Sequence, residues 1–465
     1  MNNLFTANIV AGTTMLIFSG CQSIPPEPLQ LSEVRIHLSE RPLDVEPIRA
    51  FADSLNRQLE PTNSVYDPSD GISLREAHAI ALWYNPVVRE ARAEIQYAED
   101  AVNSSGIWPD PIVSPKLGEK EVDTDSGSKR RWIIGSGLSL TIPLSGRLGA
   151  ERLLRGVQQD IAFRMAQEAE WTVSKDLYQA WIDWSASLKS VELLDEHLVN
   201  LDHLVKTTGR LAEAGEISAV DARVFQLTYG QLVAGKALKQ SEVLKAKIRI
   251  LGLMGLNSNV PVEFVPQIIP AFQESNTPVF EISETHPTLA TYRARYEEAE
   301  KRLHLELRKQ YPDLTISPSF EDEENESAFV FGFGLPLPIW NANKAGIAAA
   351  VTARKRAREE VEHALQDLTL DLAVHQSERT GAQAQNDTLL NDVSPLLDRQ
   401  LSETRNLLDV GEFDVLLLHN VLKQSLEIKQ SVLNSSLNEQ RALISIIAAT
   451  TPELLVSAPL EEINP

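Results

Sequence analysis

The chain has 465 residues, enough for two or three ordinary domains, and a composition close to the globular average, which excludes wholesale disorder. Its formal net charge of -22 argues against nucleic acid as a partner, because phosphate backbones are gripped by Lys/Arg stripes. An acidic surface keeps a protein soluble or gathers cations, and the first is the simpler reading.

Residues 1–20 read as a secretory signal peptide. Ile9 to Phe18 form a short apolar stretch, too short to span a bilayer, and Ser19-Gly20 supply the small residues of a cleavage site. Cys21 is the single cysteine, so an intrachain disulfide is excluded. Its place directly after Ser-Gly resembles a bacterial lipobox, in which the cysteine becomes the lipidated first residue of the mature protein. Gln22 after it leans to the outer membrane, and a plain cleaved signal is the alternative. No later apolar run is long enough for a transmembrane helix.

Residues 21–72 carry prolines and polar residues without a sustained period, and are expected to form an extended arm. From there the chain states one pattern twice, as a first repeat over 73–254 and a second over 284–450, joined by a proline-bearing linker over 255–283 and followed by a tail over 451–465. An aromatic-Pro-Asp triplet occurs at Trp108-Pro109-Asp110 and at Tyr311-Pro312-Asp313. Pro115 and Pro318 follow at the same spacing. Asn85-Pro86 and His286-Pro287 precede the triplets, and Gly215-Glu216 and Gly411-Glu412 follow a long helical stretch each time. A period of about 200 residues is far too long for a solenoid, so this is a duplicated half-protein.

Within the first repeat, Ser73 and Glu76 form a capping-box pattern that opens a helix expected over about 73–107. A hairpin is expected over about 110–142. Trp132, Ile134, Leu138, Leu140 and Ile142 alternate there with small or polar residues, which is the period of a strand. The second hairpin, over about 313–338, alternates Phe329, Phe331, Phe333, Leu335 and Leu337 with Ala328, Val330, Gly332 and Gly334. Strands of about ten residues suit a tilted membrane crossing. Pro115 and Pro318 remove ladder donors, so a bulge or a subunit edge is expected at both. The acidic tip Glu321 to Glu326 admits a divalent-cation reading, but a solvated loop is preferred.

After each hairpin comes a long helical stretch. In the first repeat helices are expected over about 149–212 and 217–254. The seam Leu177, Trp181, Trp184, Leu188, Val191, Leu194, Leu198 keeps coiled-coil spacing. The first of these helices would be roughly 95 Å long at 1.5 Å per residue, too long for a compact globular domain. Pro395 is expected to kink or break its counterpart in the second repeat.

No enzyme chemistry is legible. Phosphate-binding Gly-Lys loops are absent from the sequence, and His197 and His203 lie six apart, off the spacing of a helical metal pair. No cofactor or metal site is expected. Two hairpins supply four strands, which cannot close a barrel alone, and lipid does not tolerate an open sheet edge. A membrane barrel would have to be shared among subunits.

In the order Ala79-Ile80-Ala81-Leu82, Asn85-Pro86, Trp108-Pro109-Asp110-Pro111, Ile142-Pro143-Leu144 and Ala214-Gly215-Glu216-Ile217-Ser218, with the second-half echoes, the chain resembles the TolC family of outer-membrane efflux channels, in its lipoprotein branch. The resemblance implies an α+β membrane fold: a long α-helical coiled-coil barrel, with four β-strands per chain contributing to a 12-stranded β-barrel shared by a homotrimer. It implies an outer-membrane location with extension into the periplasm, a periplasmic adaptor and an inner-membrane pump as partners, and passage of metal ions or drugs.

It further implies that Gly215, Glu216, Ser218, Gly411 and Glu412 form adaptor-docking tips. Asp221 matches an acidic residue that latches the closed state. Phe413 stands where an arginine is frequent, Leu408 where a tyrosine is, and Leu417 and Asn420 where acidic constriction residues are known. Closure by apolar packing of Phe413 and Leu417 is therefore expected in place of an electrostatic latch. Trp108, Trp132, Tyr311 and Trp340 are the expected membrane-interface aromatics. The rival readings are a type I secretion duct and a periplasmic coiled-coil scaffold without a pore.

Overall fold

A computed structural model describes residues 24–59, 66–124, 127–267, 281–323, 326–409 and 414–455. The expected signal peptide, Cys21, and the Gly411, Glu412 and Phe413 positions lie outside the described residues. The chain divides into two units, Met1–Pro42 and Leu43–Pro465. In the first, α1 (Leu31–Ser39) buries no residue.

The second unit begins with a correction. Residues expected to be extended form α2 (Glu46–Leu59), whose Ile48, Phe51 and Ala52 enter the main core. The turn of apolar residues at positions 48, 51 and 52 is a helical stripe, and flanking prolines hid it. The helix expected over 73–107 is two helices, α3 (Leu74–Tyr84) and α4 (Pro86–Asn103). Ser73 caps α3 with the reciprocal Glu76 bond of a capping box. Asn85 ends α3 and starts α4. Its Oδ1 accepts from the Val87 and Val88 amides at 2.9 and 3.4 Å, with Pro86 at the first helical position.

Strands β1 (Ile112–Thr124) and β2 (Gly127–Ile142) follow, then α5 (Arg147–Glu213) and α6 (Ala219–Leu253). The second repeat supplies α7 (Pro287–Arg308), β3 (Leu314–Glu323), β4 (Glu326–Gly334), α8 (Lys344–Thr388), α9 (Ser394–Asp409) and α10 (Val415–Thr450). At 67 residues, α5 is about 100 Å long. The long helices of both repeats begin from a left-handed residue, Gly146 at φ +69° and Asn343 at φ +52°.

Pro395 does not break its helix. A π-helical turn, Leu389–Val393, precedes it, and the Ser394 amide reaches back to the Leu389 carbonyl. The extra residue of that turn absorbs the missing proline donor and the chain continues as α9.

All four strands form one antiparallel sheet in the order β1-β2-β3-β4. Pro115 lies on edge strand β1, as expected. Pro318 does not lie at an edge or a bulge. It sits in interior strand β3, where pairing with β2 lapses between Gly137↔Ser319 and Leu140↔Ile316 and resumes in the same register. The first hairpin lies within its expected bounds, but its strands, at 13 and 16 residues, are longer than the expected ten or so, against 10 and 9 in the second.

The main core lies at mid-length of α5. Trp171, Leu177, Tyr178, Trp181, Ile182 and Trp184 pack against α3, the end of α6, Phe264 and Ile444 and Ala448 of α10. Buried polar groups sit inside it. His78 bonds Ser174 at 2.7 Å, and the Ser174 hydroxyl donates to the Glu170 carbonyl. With that proton committed, His78 Nε2–H is the donor, and burial holds its imidazole at about 4, below the ordinary 6.5. The Glu170 carboxylate is buried and paired with Arg92 at 2.6 Å. Burial pushes its pKa up, against the pull of Arg92.

Candidate functional site

The sheet has two chemically distinct faces, because directly paired residues of an antiparallel sheet share a face. The pairs Leu117↔Ile134, Leu138↔Val113, Leu140↔Ile316, Ile316↔Phe333 and Phe320↔Phe329 join the large side chains of all four strands into one surface. That surface is bare: Leu117 is 74 % exposed, Ile134 62 % and Phe333 72 %. An apolar face of this extent is a contact surface for lipid or protein, not a solvated one. The opposite face carries Ser114, Gly118, Gly135, Gly137, Ser139, Thr315, Ser317, Ser319, Gly332 and Gly334. No helix of the described residues is long and apolar enough to cross a membrane.

The small face holds an ion pair across three strands. Lys116 on β1 and Glu321 on β3 both pair with Gly135 on β2, and Lys116 Nζ donates to Glu321 Oε1 at 2.7 Å. A Cβ at residue 135 would stand 2.7 Å from the Phe320 carbonyl oxygen and 3.2 Å from Glu321 Cγ. Only glycine leaves the Lys116 side chain a path over β2.

Trp108, Tyr311 and Trp340 are 60, 61 and 86 % exposed and flank the strand ends nearest the helices. Trp132 lies inside β2, opposite Glu119, ten residues from Ile142. Ten residues at about 3.3 Å span about 33 Å, which for a strand tilted by ~45° is a band about 25 Å tall. The Trp132 level and the level of Trp108, Tyr311 and Trp340 are thus about ten strand residues apart.

The aspartate of the second triplet has a visible task. Asp313 Oδ2 accepts from Arg147 Nε at 2.8 Å, and its other oxygen accepts from Ser145 at 3.3 Å. The pair fastens the start of β3 to the start of α5.

At the far end of α5, Gly215 takes φ +78°. Its amide donates to the Ala212 carbonyl and that of Glu216 to the Leu211 carbonyl, a complete Schellman cap. The Ser218 hydroxyl caps α6 through the Val220 amide. Gly215, Glu216 and Ser218 are exposed, and Asp221 stands half-buried in the first turn of α6. Asp414 caps α10 in the same way, accepting from the Leu416 and Leu417 amides at 2.9 and 3.0 Å. Asp414 is a functional position without a motif of its own, and the one signal for it in the sequence is its place three residues after Gly411, as Ser218 stands three after Gly215.

Behind the turns lies a small core of Leu201, Phe225, Val415 and Leu418, with Ile217, Leu204 and Val205 against it. His419 packs edge-on to Phe225 and bonds Thr228 at 2.9 Å. Leu418, not Leu417, enters this core. Leu417 is 37 % exposed and Asn420 is exposed, so both point away from their own chain's packing. The side chain of Leu408 is outside the described set.

A fold of long paired helices ending in a four-stranded sheet with one apolar face is the fold of outer-membrane channel proteins. Residues 281–451, most of the second repeat, match the model of the outer membrane efflux protein family. Solved structures extend the likeness in fold to most of the chain. CusC, studied for folding and transmembrane channel formation, superposes with a TM-score of 0.69 at 14% identity over 84% of this chain and 95% of that one. The outer membrane protein VceC of Vibrio cholerae gives 0.66 at 14% over 80% and 95%. The CmeC outer membrane channel of Campylobacter jejuni gives 0.66 at 13% over 83% and 88%. No curated protein matches by sequence.

Proposed function

We propose that this chain is the outer-membrane duct of a tripartite efflux system, working as a homotrimer. The observation that carries the reading is the two-faced sheet with open edges at β1 and β4. Lipid leaves no backbone edge unpaired, so β4 of one copy pairs with β1 of the next. Three copies give twelve strands, an even count within the bacterial range. The apolar face meets lipid, and the Ser, Thr and Gly face lines the pore. The helices continue the duct into the periplasm, where the Gly215 and Gly411 turns meet an adaptor that couples to an inner-membrane pump. Cys21 is the lipid attachment point. The duct conducts small toxic solutes, metal ions or drugs, and performs no reaction itself.

Purified protein is expected to run as an SDS-resistant trimer that dissociates on boiling, and to give discrete conductance steps in planar bilayers. A monomer in detergent with silent bilayers refutes the duct. A deletion strain tested against metals, dyes, detergents and antibiotics assigns the solute class. Sensitivity equal to the parent on every compound removes the efflux reading for those compounds.

A further inference from the structure

The internal duplication lets a contact inside one chain specify a contact between chains. Arg147 follows β2 and Asp313 precedes β3, and these neighbouring strands bring the two together at 2.8 Å. The repeat supplies a second pair of the same kind. Lys344 follows β4, directly after left-handed Asn343, as Arg147 follows left-handed Gly146. Asp110 precedes β1 in the first aromatic-Pro-Asp triplet, as Asp313 precedes β3 in the second. Both Asp110 and Lys344 are exposed, and neither forms an ion pair among the described residues. They belong to the two open edges of the sheet.

We propose that Asp110 of one copy pairs with Lys344 of the next, and that this contact fixes the register in which β1 and β4 close the barrel. The inference rests on the trimeric duct reading and adds the residues that join its subunits. The partner is a second copy of this chain because the charges and their strand positions repeat those of Asp313 and Arg147. One link per chain is internal and one is shared, so the ring alternates between Asp313–Arg147 and Asp110–Lys344 contacts. The shared link joins through a lysine, which makes one point contact where an arginine offers a fork. It is the weaker joint of the two.

Cross-linking tests it. The double variant D110C/K344C, treated with a short bis-maleimide matched to the reach of an Asp–Lys pair, is expected to give a trimer that survives boiling in SDS. D110C and K344C alone are expected to give none. A second measurement guards against misfolding. The reversal D110K should lower the temperature at which the native trimer dissociates, and D110K/K344D should restore most of the loss. Native trimers that do not cross-link, or a double reversal no better than the single, overturn the pairing while leaving the duct intact. Protein that is monomeric before any substitution overturns the duct and this pairing with it.

Discussion

Lys116 and Glu321 are 205 residues apart and share one hydrogen bond over Gly135, tying the first strand to the third across the second. Both side chains are partly exposed, so the bond itself contributes at most about 1 kcal/mol. Its consequence is electrostatic. On the pore face of the proposed barrel, the pair would hold two opposite charges against the wall in each copy. Removing one partner exposes the other. At ~10 mM salt, where screening reaches only beyond ~30 Å, E321Q should raise anion over cation permeability and K116Q the reverse, each by about twofold. Reversal potentials across a salt gradient report this. G135V should prevent the pair from forming and lower trimer yield, because its side chain collides with the backbone of Phe320.

Asn85 and His286 occupy the same step of the two repeats, each before a proline that starts a helix. Asn85 caps α4 and also donates to the Leu253 carbonyl at 2.8 Å. His286 caps nothing. Its ring is buried edge-on against Trp171 at 4.8 Å, and neither ring nitrogen has a hydrogen-bond partner among the described residues. H286N should therefore gain a cap and raise the thermal midpoint, by about 1 kcal/mol of stability. N85A should lose the cap and strand a carbonyl, costing about 1–3 kcal/mol. Melting followed by helical circular dichroism measures both. A lower midpoint for H286N would mean that the Trp171 contact outweighs the missing cap.

Buried imidazoles make the protein acid-sensitive in a defined window. His78 and His286 each have a folded pKa of about 4 against an ordinary 6.5, both chiefly through burial. The unfolded chain takes up these protons first, so stability is full above about pH 6.5 and falls as the pH drops towards 4. For His78 the loss at pH 5 is about 2 kcal/mol. Denaturant midpoints at pH 7.5 and pH 5 should differ, and H78Q should shrink the difference. A pH-independent midpoint between 7.5 and 5 contradicts the assignment.

The hairpins, the Gly215 turn and the long helices are legible because each writes a local period or a cap into consecutive residues. The step at Asn85-Pro86 is visible as a repeat marker, but the periodicity runs through it and does not show the break between α3 and α4. Proline at the first helical position restarts a helix as readily as it stops one. The stripe of α2 was masked by Pro47 and its neighbours, which made the segment resemble an arm. Pro395 signalled strain correctly, but sequence does not say that a π-helical turn will absorb it. Contacts such as Lys116–Glu321 and Asp313–Arg147 left no local trace. They follow from a register that only the assembled sheet defines.

Arg92 and Glu170 test how much the mid-length core depends on a charge. Arg92 bonds Glu170 Oε1 through two nitrogens and the Leu82 carbonyl through a third, and Glu170 Oε2 has no partner among the described residues. R92M strands a buried carboxylate and should cost about 3–5 kcal/mol, and it removes the pull that opposes the upward push of burial on the Glu170 pKa. R92M/E170L should recover most of that loss, since apolar replacements of a buried pair are often neutral. A double variant as unstable as R92M would show that Arg92 acts chiefly through Leu82.

The Gly215 end of the long helices is where sequence and packing diverge most usefully. Phe225 is fully buried between Leu201, Val415 and Leu418, so F225A should loosen the tip by about 3–5 kcal/mol of local stability. Leu417 is not part of that core and stands 37 % exposed, one residue from buried Leu418. In a closed ring its free partners are other copies, not its own helices. L417S should therefore leave the melting of helical signal within about 0.5 kcal/mol of the parent, as surface changes do, while raising resting conductance, and F413S should raise resting conductance too. L418S should do the opposite first, melting the tip before any change in conductance can be assigned to a gate. Bilayer recordings paired with melting curves separate the two. Resting conductance unchanged in L417S and F413S would place closure elsewhere, with Asp221 and Asn420 the next positions to substitute.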